Sequence, residues 1–510
     1  MPAGSGQTNA LRGVACTASN SCWSVGTVAT PSTGSTLGLT EHWNGTSWSR
    51  AASPNSGSQP AALSAIACAD ASHCWAVGWH SAVNQIGGSH SYALQWNGSS
   101  WTSARIPDAA GVPYDYLRGI ACVSAAYCWA VGIDDVNNSG GPNDRTLVES
   151  WNGSSWSLAT SPNASQSSSD DLNAVTCLSA AMCWAVGSVS FSQSQPPLIE
   201  RWDGSSWSIV APSTSNTSMN GTLASVACVS ASDCWAVGMG SYRTLTEHWD
   251  GVAWTVVSSP DTGSQDDDYL TGVKCLAAAD CWAVGYAHDS SNSSVLDRVI
   301  TTHWDGSSWS MVSSPDTAYN DYLMSIDCTS SAECWAVGWS SDSSGPTRHT
   351  LAEHWDGWSW NLAASADMAG AEVSYVYGPE EGSWLASVAC VSASDCRGAG
   401  SAMGDDDIPL TLVERDATAN APAPLGVVTT SLPSGSVGTS YSAALAATGG
   451  THPYSWAVIA GQLPNGLALA GSTGIISGTP VTTGTFTFTV QVTDSGGRTA
   501  SRALSISIAA

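Results

Sequence analysis

The cysteines are the residues of this chain whose type and spacing could do the most chemistry. Sixteen cysteines form eight pairs, and five residues separate the two members of every pair. Such a pair can close a short disulfide loop or give two ligands to a metal. Zinc sites usually take four ligands in C-x2-C type spacings, and no histidine recurs beside these pairs. The pattern therefore predicts disulfides and an oxidising compartment, outside the cell or on its surface.

The eight predicted disulfides share this spacing and differ only in their place along the chain: Cys16–Cys22, Cys68–Cys74, Cys122–Cys128, Cys177–Cys183, Cys228–Cys234, Cys275–Cys281, Cys328–Cys334 and Cys390–Cys396.

Tryptophan could bind a ligand through its broad ring, and the chain has 26 of them. Twenty-one occupy three fixed positions of a repeated unit, which indicates packing between units rather than ligand binding. Trp79, Trp339, Trp358 and Trp384 break this pattern within the repeats. We expect ligand contacts from these four before any of the regular ones.

Arginine, tyrosine and aspartate supply the remaining candidates for a site. Three arginines in the loop after the second strand of the unit are candidate ligand contacts: Arg145, Arg298 and Arg348. Three tyrosines of a recurring Asp-Tyr-Leu sequence could recognise a sugar or calcium, or could anchor a loop end: Tyr116, Tyr269 and Tyr322. An acidic run is a candidate calcium site, although such a site needs six to eight oxygens: Asp266, Asp267 and Asp268. No cofactor is otherwise expected.

These residues are carried by a unit that recurs every 47 to 62 residues, from Leu11 to the unit that begins at Leu385. Each unit has the form L-x-x-V-x-C-x5-C-W-A-V-G, a variable loop, and L-x-E-x-W-[DN]-G-x-x-W. It predicts four short antiparallel strands, which we call A, B, C and D. Asn-Gly or Asp-Gly between strands C and D supplies the positive φ of a tight hairpin turn. Four-stranded units of this length predict the blades of a β-propeller.

The number of blades follows from counting strands. Seven units are complete, whereas the eighth has Arg397 in place of the strand-B tryptophan and lacks the strand-D segment. We expect eight blades, with residues 2–10 supplying the missing outer strand. A seven-bladed ring with a displaced last unit is the alternative.

Composition excludes several partners. The chain of 510 residues has a formal net charge of −27, which argues against nucleic acid and anionic membranes. The sequence contains no apolar stretch of about 18 residues, so it predicts no membrane-spanning segment. The first ten residues do not form a secretory signal, so we expect that a signal was removed or that the chain is a fragment.

The unit resembles the repeats of kelch and galactose-oxidase-like propellers. Strand B, Cys-Trp-Ala-Val-Gly, stands where those repeats have an aromatic residue followed by V-x-G-G, and Glu353–Trp360 stands where they have a strand, a turn and a tryptophan. The double glycine is missing and the cysteine pair is additional, as in Trp- and Cys-rich repeat proteins of soil bacteria. The resemblance covers residues 11–416 and implies a fold rather than an activity.

A propeller enzyme of the galactose oxidase or sialidase kind would need side chains that we do not find. Galactose oxidase needs copper with tyrosine, histidine and a Tyr–Cys crosslink, but every cysteine is already paired. A sialidase needs an arginine triad, and only scattered arginines are present. We therefore expect no catalytic residues.

The C-terminal part differs in composition. Residues 417–424 are predicted to be a linker, and residues 425–510 alternate apolar and polar residues. Leu463–Leu467, Gly474–Pro480 and Thr493–Gly497 resemble motifs of the immunoglobulin-like domains of bacterial surface proteins, which are grouped with dystroglycan-type cadherin-like domains. The resemblance implies an adhesive or spacer β-sandwich, in which Asp494 could bind calcium or form a turn.

The sequence thus predicts an all-β protein with a propeller at residues 1–416 and a β-sandwich at its C-terminus. The B–C and D–A loops vary in length and lie on one face, so we expect binding there. The predicted function is that of a secreted or cell-surface protein, monomeric and non-catalytic, that binds a glycan or a protein. A structural module of an envelope assembly and an enzyme acting on polysaccharide are the alternatives.

Overall fold

The computed structural model describes residues 8–30, 35–54, 60–81, 88–107, 114–135, 144–165, 168–190, 196–210, 220–263, 267–288, 296–317, 319–341, 348–363, 365, 383–403, 409–415, 425–448, 453–495 and 497–510. Every regular element in these ranges is a β-strand, as the sequence predicts. The chain divides into two compact units, Met1–His354 with Ser359–Arg415, and Trp355–Trp358 with Asp416–Ala510. The predicted linker lies outside the described residues.

The repeats form propeller-like antiparallel sheets, which we number 1 to 8 along the chain. Sheets 1 to 4 have strands A to D in order: β1 Thr8–Ala18, β2 Ser21–Thr30, β3 Ser35–Trp43, β4 Trp48–Arg50; β5 Ala61–Asp70, β6 His73–Ser81, β7 Ser89–Trp96, β8 Trp101–Ala104; β9 Asp115–Ser124, β10 Tyr127–Asp134, β11 Arg145–Trp151, β12 Trp156–Leu158; β13 Ser169–Ser179, β14 Met182–Ser190, β15 Pro197–Trp202, β16 Trp207–Ile209.

Sheets 5 to 8 follow the same order, and the described part of sheet 8 has strands A to C: β17 Gly221–Ser230, β18 Asp233–Gly240, β19 Arg243–Trp249, β20 Trp254–Val257; β21 Asp267–Ala277, β22 Asp280–His288, β23 Arg298–Trp304, β24 Trp309–Met311; β25 Asn320–Ser330, β26 Glu333–Ser341, β27 Arg348–Trp355, β28 Trp360–Leu362; β29 Trp384–Ser392, β30 Asp395–Met403, β31 Pro409–Arg415.

The turns that connect these strands have the predicted chemistry. In sheet 1 the side-chain oxygen of Asn44 accepts hydrogen bonds from the backbone N–H groups of Thr46 and Ser47, at 2.9 and 3.0 Å. Gly45 follows with φ of +97°, a conformation that glycine adopts without strain. The A–B hairpin places Cys16 directly opposite Cys22. The geometry of both turns is therefore set by local sequence.

All eight predicted disulfides are formed, and no cysteine of the described chain is free. Each bond joins strand A to strand B of one sheet. In the chain-entropy model a loop this short contributes about 2 kcal/mol.

The regular tryptophans fill the seams between neighbouring sheets. At the seam between sheets 3 and 4, the ring of Trp129 lies 4.7 Å from Trp202 and 5.1 Å from Trp207, the latter edge-on. The indole N–H of Trp202 donates to the carbonyl of Ala180 in the disulfide hairpin. The arrangement recurs at other seams: Trp23 with Trp96 and Trp101, Trp75 with Trp151 and Trp156, Trp184 with Trp249 and Trp254, and Trp235 with Trp304 and Trp309. These tryptophans are packing residues.

The innermost strands follow one another around a closed cycle. Each strand A contacts the strand A of the next sheet, and β29 of sheet 8 contacts β1 of sheet 1. Residues 8–10 lie in β1, where Ala10 pairs with Thr27 of strand B, so they do not supply an outer strand as we expected. The remainder of segment 2–10 lies outside the described residues. The contacts agree with eight blades, and that number stays a prediction.

The C-terminal unit has an immunoglobulin-like architecture. Its core contains Ile476, Phe488, Val490 and Ile506, each at most 1% exposed. The strands of this unit are β32 Gly426–Val427, β33 Gly435–Ser436, β34 Tyr441–Ala444, β35 Ala447–Thr448, β36 Ser455–Gly461, β37 Leu467–Leu469, β38 Ile475–Gly478, β39 Gly484–Thr493 and β40 Thr499–Ala509. One sheet has the order β33-β40-β39-β36 and another the order β34-β38-β37.

Candidate functional site

The candidate site lies at the end of the sheets where strands A begin, strands B end and strands C begin. We call this end the B–C/D–A face. In sheets 6 and 7 the residues before the strand-A leucine and after the strand-B glycine are cross-strand partners: Tyr269 with Tyr286, and Tyr322 with Trp339. The regular repeat therefore brings four aromatic side chains to one end of two neighbouring sheets.

These rings stack into a continuous row. The centroids of Tyr269 and Tyr286 are 5.0 Å apart, and Tyr286 meets Tyr322 edge-on at 4.8 Å across the seam between the sheets. Tyr322 stacks on Trp339 at 3.9 Å, and the guanidinium carbon of Arg348 lies 4.2 Å from the centroid of Trp339. We call these five residues the aromatic row. All five are partly exposed, so each presents part of its surface to solvent.

The buried carboxylate of Asp297 holds the side chain of Tyr322 in place at the seam between sheets 6 and 7. The hydroxyl of Tyr322 donates to Asp297, which is 5% exposed, and Nδ1 of His288 lies 2.7 Å from the other oxygen of Asp297. Burial raises the pKa of Tyr322, and the Asp297 carboxylate raises it further. Burial likewise raises the pKa of Tyr286 to about 12. Both hydroxyls therefore remain protonated hydrogen-bond donors at neutral pH.

The turn before the row carries an exposed tyrosine in a strained conformation. Ser241 and Tyr242 connect strands B and C of sheet 5 with φ of 52° and 67°, values that non-glycine residues rarely adopt. Tyr242 is 67% exposed, and it is close enough to Tyr269 to add to the rise in pKa that burial causes there. Strained residues that present large side chains often mark binding sites. The carbonyl of Tyr242 accepts a hydrogen bond from the N–H of Asp268 at 3.2 Å, which places this turn beside the residue that precedes Tyr269.

The predicted ligand residues fall into three groups. Tyr269, Tyr322, Trp339 and Arg348 are brought together in the row. Trp79 and Tyr116 form a separate pair, with centroids 5.8 Å apart, at the seam between sheets 2 and 3. Arg145 and Arg298 lie apart from both groups.

The arginines do not share one position. Arg145 and Arg298 precede the strand-C tryptophan by six residues and are exposed, whereas Arg348 precedes it by seven and covers Trp339. Burial raises the pKa of Asp134, and Arg145 offsets part of this rise. Arg298 acts in the same way on the carboxyl of Asp316. Each of these two arginines thus lowers the pKa of one carboxyl group.

Two other tryptophans that break the repeat lie outside the row. Trp358 is 67% exposed in the C–D turn of sheet 7, at the opposite end of the sheet from the row. Trp384 is 9% exposed and has the guanidinium of Arg12 at 6.0 Å.

The predicted calcium residues hold loops in the structure. Asp268 accepts hydrogen bonds from the N–H and hydroxyl of Thr262, at 2.7 and 2.8 Å, and Asp267 begins strand A of sheet 6. Asp494 accepts from the N–H of Arg498 at 2.7 Å and pairs with its guanidinium at 3.1 Å. Asp266 lies outside the described residues, which contain no cluster of three metal-ligating side chains. Calcium stays a prediction.

Sequence reasoning missed the residues that complete the row, Tyr286 and Asp297. Tyr286 belongs to no recurring motif, but it follows the strand-B glycine as Trp79 and Trp339 do. An alignment of the units by that glycine would have found it.

Buried glutamates of strand C were also missed. They stand two residues before the strand-C tryptophan and are at most 4% exposed: Glu41, Glu149, Glu200, Glu247 and Glu353. Ser161 of sheet 3 donates to Glu200 of sheet 4 at 2.6 Å, across the seam. Burial raises the pKa of Glu200 and of Glu353 to about 8 and that of Glu247 to about 7. The recurring Glu of the L-x-E-x-W segment was the available signal.

Comparisons with known proteins identify the C-terminal unit. The family model described as "Putative Ig domain" matches residues 423–509. No curated protein matches the chain in sequence. No helix in the described ranges has the length and hydropathy to cross a membrane.

Among solved structures, Sqt1 of Chaetomium thermophilum bound to the N-terminus of ribosomal protein L10 is 14% identical, with 80% of this chain and 97% of that chain covered and a TM-score of 0.47. SapL1 lectin in complex with alpha methyl fucoside is 11% identical, with 61% and 97% covered and a TM-score of 0.33.

Two Bacteroides fragilis proteins, each described as a putative alpha-galactosidase, are 25% and 26% identical over 16% of this chain, with TM-scores of 0.15 and 0.13. The chain spans only 17% and 15% of their lengths. Likenesses this weak or partial transfer neither a ligand nor an activity.

Proposed function

We propose that this protein is a secreted or cell-surface binding protein that recognises a glycan through the B–C/D–A face without catalysing a reaction. The aromatic row carries the proposal. Sugars present C–H faces that pack on aromatic surface and hydroxyls that need hydrogen-bond partners. The partly exposed rings of the row, the Tyr286 hydroxyl and the Arg348 guanidinium offer both kinds of contact.

The charge of the molecule narrows the kind of glycan. With a formal net charge of −27, the protein repels polyanions at a distance. Asp297 and Asp267 add negative charge near the row. A neutral glycan therefore fits the row better than a sulfated or highly carboxylated one.

The eight disulfides support an extracellular location for the protein. Thiols of cytosolic proteins are kept reduced, so a set this large points to an oxidising environment. Our proposal includes a monomeric protein with a propeller at residues 1–416 that is related to kelch and galactose-oxidase propellers, a linker at 417–424, and a cadherin-like module at 425–510.

The experiment is a glycan array probed with the oxidised protein, once with calcium and once with a chelator. We expect binding to neutral glycans that Trp339→Ala weakens and Trp358→Ala preserves, since Trp358 lies at the opposite end of its sheet. Dependence on calcium would support the predicted role of the acidic loops.

Three results would contradict the proposal. Binding lost in Trp358→Ala but kept in Trp339→Ala would place the ligand on the other face. A blank array would favour a protein partner or a structural role. Release of shortened glycan from a bound polysaccharide would indicate an enzyme.

A further inference from the structure

We infer that the B–C/D–A face carries two separate glycan subsites, so that one molecule cross-links two glycan chains. One subsite is the aromatic row at the seam between sheets 6 and 7. The other is the Trp79–Tyr116 pair at the seam between sheets 2 and 3. The inference rests on the proposed function, because it concerns the same class of ligand.

The two seams are built from the same positions in the same geometry. In each, the residue after the strand-B glycine of one sheet meets the residue before the strand-A leucine of the next. Trp79 meets Tyr116 at 5.8 Å and 70°, and Tyr286 meets Tyr322 at 4.8 Å and 65°. Both contacts are edge-on, and all four side chains are partly exposed.

The fold itself does not require an aromatic pair at these positions. The corresponding residues at the other six seams are Thr27 and Ala62 (seam 1/2), Ile133 and Asp171 (3/4), Ser188 and Thr222 (4/5), Met239 and Tyr269 (5/6), Trp339 and Trp384 (7/8), and Ser401 and Ala10 (8/1). Three of these six pairs consist of small or polar residues, two others contain the apolar Ile133 or Met239, and in the sixth Trp384 is only 9% exposed. A partly exposed aromatic pair therefore occurs at two seams without being required for packing. Exposed aromatic surface of this kind is suited to binding a ligand.

The sheets at both seams also carry charged and imidazole side chains. In sheet 3, Asp134 is 6% exposed and lies opposite Arg145 in the strand register, and in sheet 2 the ring of His80 lies 5.6 Å from that of His90. At the 6/7 seam, Nδ1 of His288 contacts the buried Asp297, and Arg348 lies over Trp339. Guanidinium and imidazole groups of these sheets can hydrogen-bond to sugar hydroxyls.

The two subsites lie on opposite sides of the cycle of sheets. Strand-A contacts run from β9 of sheet 3 through β13, β17 and β21 to β25 of sheet 7, and from β9 through β5, β1 and β29 to β25. Both routes take four steps. A short oligosaccharide at one seam therefore leaves the other free, whereas a polysaccharide presents many sites and is bound with a gain in effective concentration.

Calorimetric titration with a short neutral oligosaccharide tests the inference. The probes are cellohexaose, laminarihexaose, xylohexaose and chitohexaose, and the oxidised full-length protein is used. We expect two bound hexasaccharides per molecule for one of these probes. Trp79→Ala and Trp339→Ala are each expected to leave one, with about a 30-fold loss at the altered seam, as for a buried aromatic contact. The double variant is expected to bind none.

Turbidity of the corresponding polysaccharide provides the second measurement. The wild-type protein should precipitate it, and either single variant should not, although each still binds the hexasaccharide. Tyr116→Ser alters the same seam from the side of sheet 3 and serves as a second test in case Trp79→Ala does not fold. Near-UV circular dichroism checks the folding of both variants.

The outcomes separate the two proposals. A wild-type stoichiometry of one that Trp79→Ala leaves unchanged overturns the second subsite and leaves the proposed function intact. Absence of binding to every probe by the wild type overturns the proposed function itself.

Discussion

At the scale of single residues, burial decides which carboxyls are chemically unusual. Glu200, Glu247 and Glu353 are fully buried between sheets, and burial raises their pKa values to between about 7 and about 8. Asp203 and Asp305 in the exposed C–D turns accept several hydrogen bonds, which lower their pKa values to about 2. The same repeat thus holds acids that titrate near neutral pH next to acids that stay ionised down to about pH 2.

These shifts predict that the protein is more stable in mild acid than in mild base. A buried glutamate binds a proton in the folded state that the unfolded chain releases above its ordinary pKa near 4.5. Its stabilisation is therefore complete below about pH 4.5 and is lost as the pH rises through 7 to 8. We expect the melting temperature to fall between pH 5 and pH 8.5. Below about pH 4 the stabilisation from the turn aspartates is lost as the pH falls through their folded pKa of about 2, so stability falls again.

The triple variant Glu200→Gln, Glu247→Gln, Glu353→Gln should flatten the decrease between pH 5 and pH 8.5. Glutamine preserves the shape and does not titrate, and Leu94 and Thr302 show that the position accepts neutral residues in sheets 2 and 6. Differential scanning calorimetry across this range is the measurement. A variant as sensitive to pH as the wild type would assign the effect to other groups.

Tyr242 should show a conflict between stability and binding. Its φ of 67° costs a non-glycine residue about 1 kcal/mol, which glycine avoids while losing more chain entropy on folding. We expect Tyr242→Gly to leave the melting temperature unchanged or higher and to weaken binding of the oligosaccharide. The combination of a lower melting temperature and unchanged binding would show that Tyr242 has a structural role only.

At the scale of elements, the sequence was sufficient wherever the determining contacts are local. The C-x5-C spacing and the Asn-Gly or Asp-Gly pairs lie within one hairpin, so the disulfides and turns could be predicted residue by residue. The aromatic row could not be predicted in this way, because the residues that meet across a seam belong to different units. Tyr286 faces Tyr322 only because two hairpins, each with a bulge after the strand-A leucine, share the same register. The candidates Tyr269, Tyr322, Trp339 and Arg348 were found singly, and their assembly was not.

The local character of the hairpins predicts that the disulfides act independently. Replacing Cys228 and Cys234 by serine should lower the free energy of unfolding by about 2 kcal/mol, because the loop they close is short. Urea denaturation measures this change, with Cys275→Ser, Cys281→Ser in sheet 6 as the matched variant. Non-reducing mass spectrometry should show the other seven bonds intact. Free thiols at most pairs of the wild type would contradict both the fold and the oxidising compartment.

At the scale of the whole molecule, the cycle of sheets must close between sheet 1 and sheet 8, which differs from the rest. Sheet 8 has Arg397 where other sheets have a strand-B tryptophan, and this side chain is completely buried. Its guanidinium lies 4.3 Å from the ring centroid of Trp43 in sheet 1. It donates to the carbonyl of Ser19 at 3.2 Å and pairs with Asp395 in its own sheet. A charged, hydrogen-bonding side chain therefore occupies the closing seam where indoles occupy the others.

Sequence reasoning noticed Arg397 only as a missing tryptophan and expected closure through an outer strand. Among the described residues the closing contacts involve strand A, since residues 8–10 extend the first strand A and Ser401 donates to the carbonyl of Asn9 at 3.1 Å. Closure depends on residues almost 400 positions apart, and nothing in the local pattern of either sheet specifies that pairing.

We therefore expect the closing seam to control the stability of the larger unit. Arg397→Ala removes the cation that faces the buried Asp395 and opens a cavity beside Trp43, which should cost about 3–5 kcal/mol. Arg105→Ala is the control, because Arg105 is exposed and its loss should cost less than about 0.5 kcal/mol. Urea denaturation followed by tryptophan fluorescence reports the seams directly, since most of the indoles lie there. If Arg397→Ala unfolds like the control, sheets 8 and 1 are not joined through this residue, and a seven-bladed ring with a displaced last unit becomes the better description.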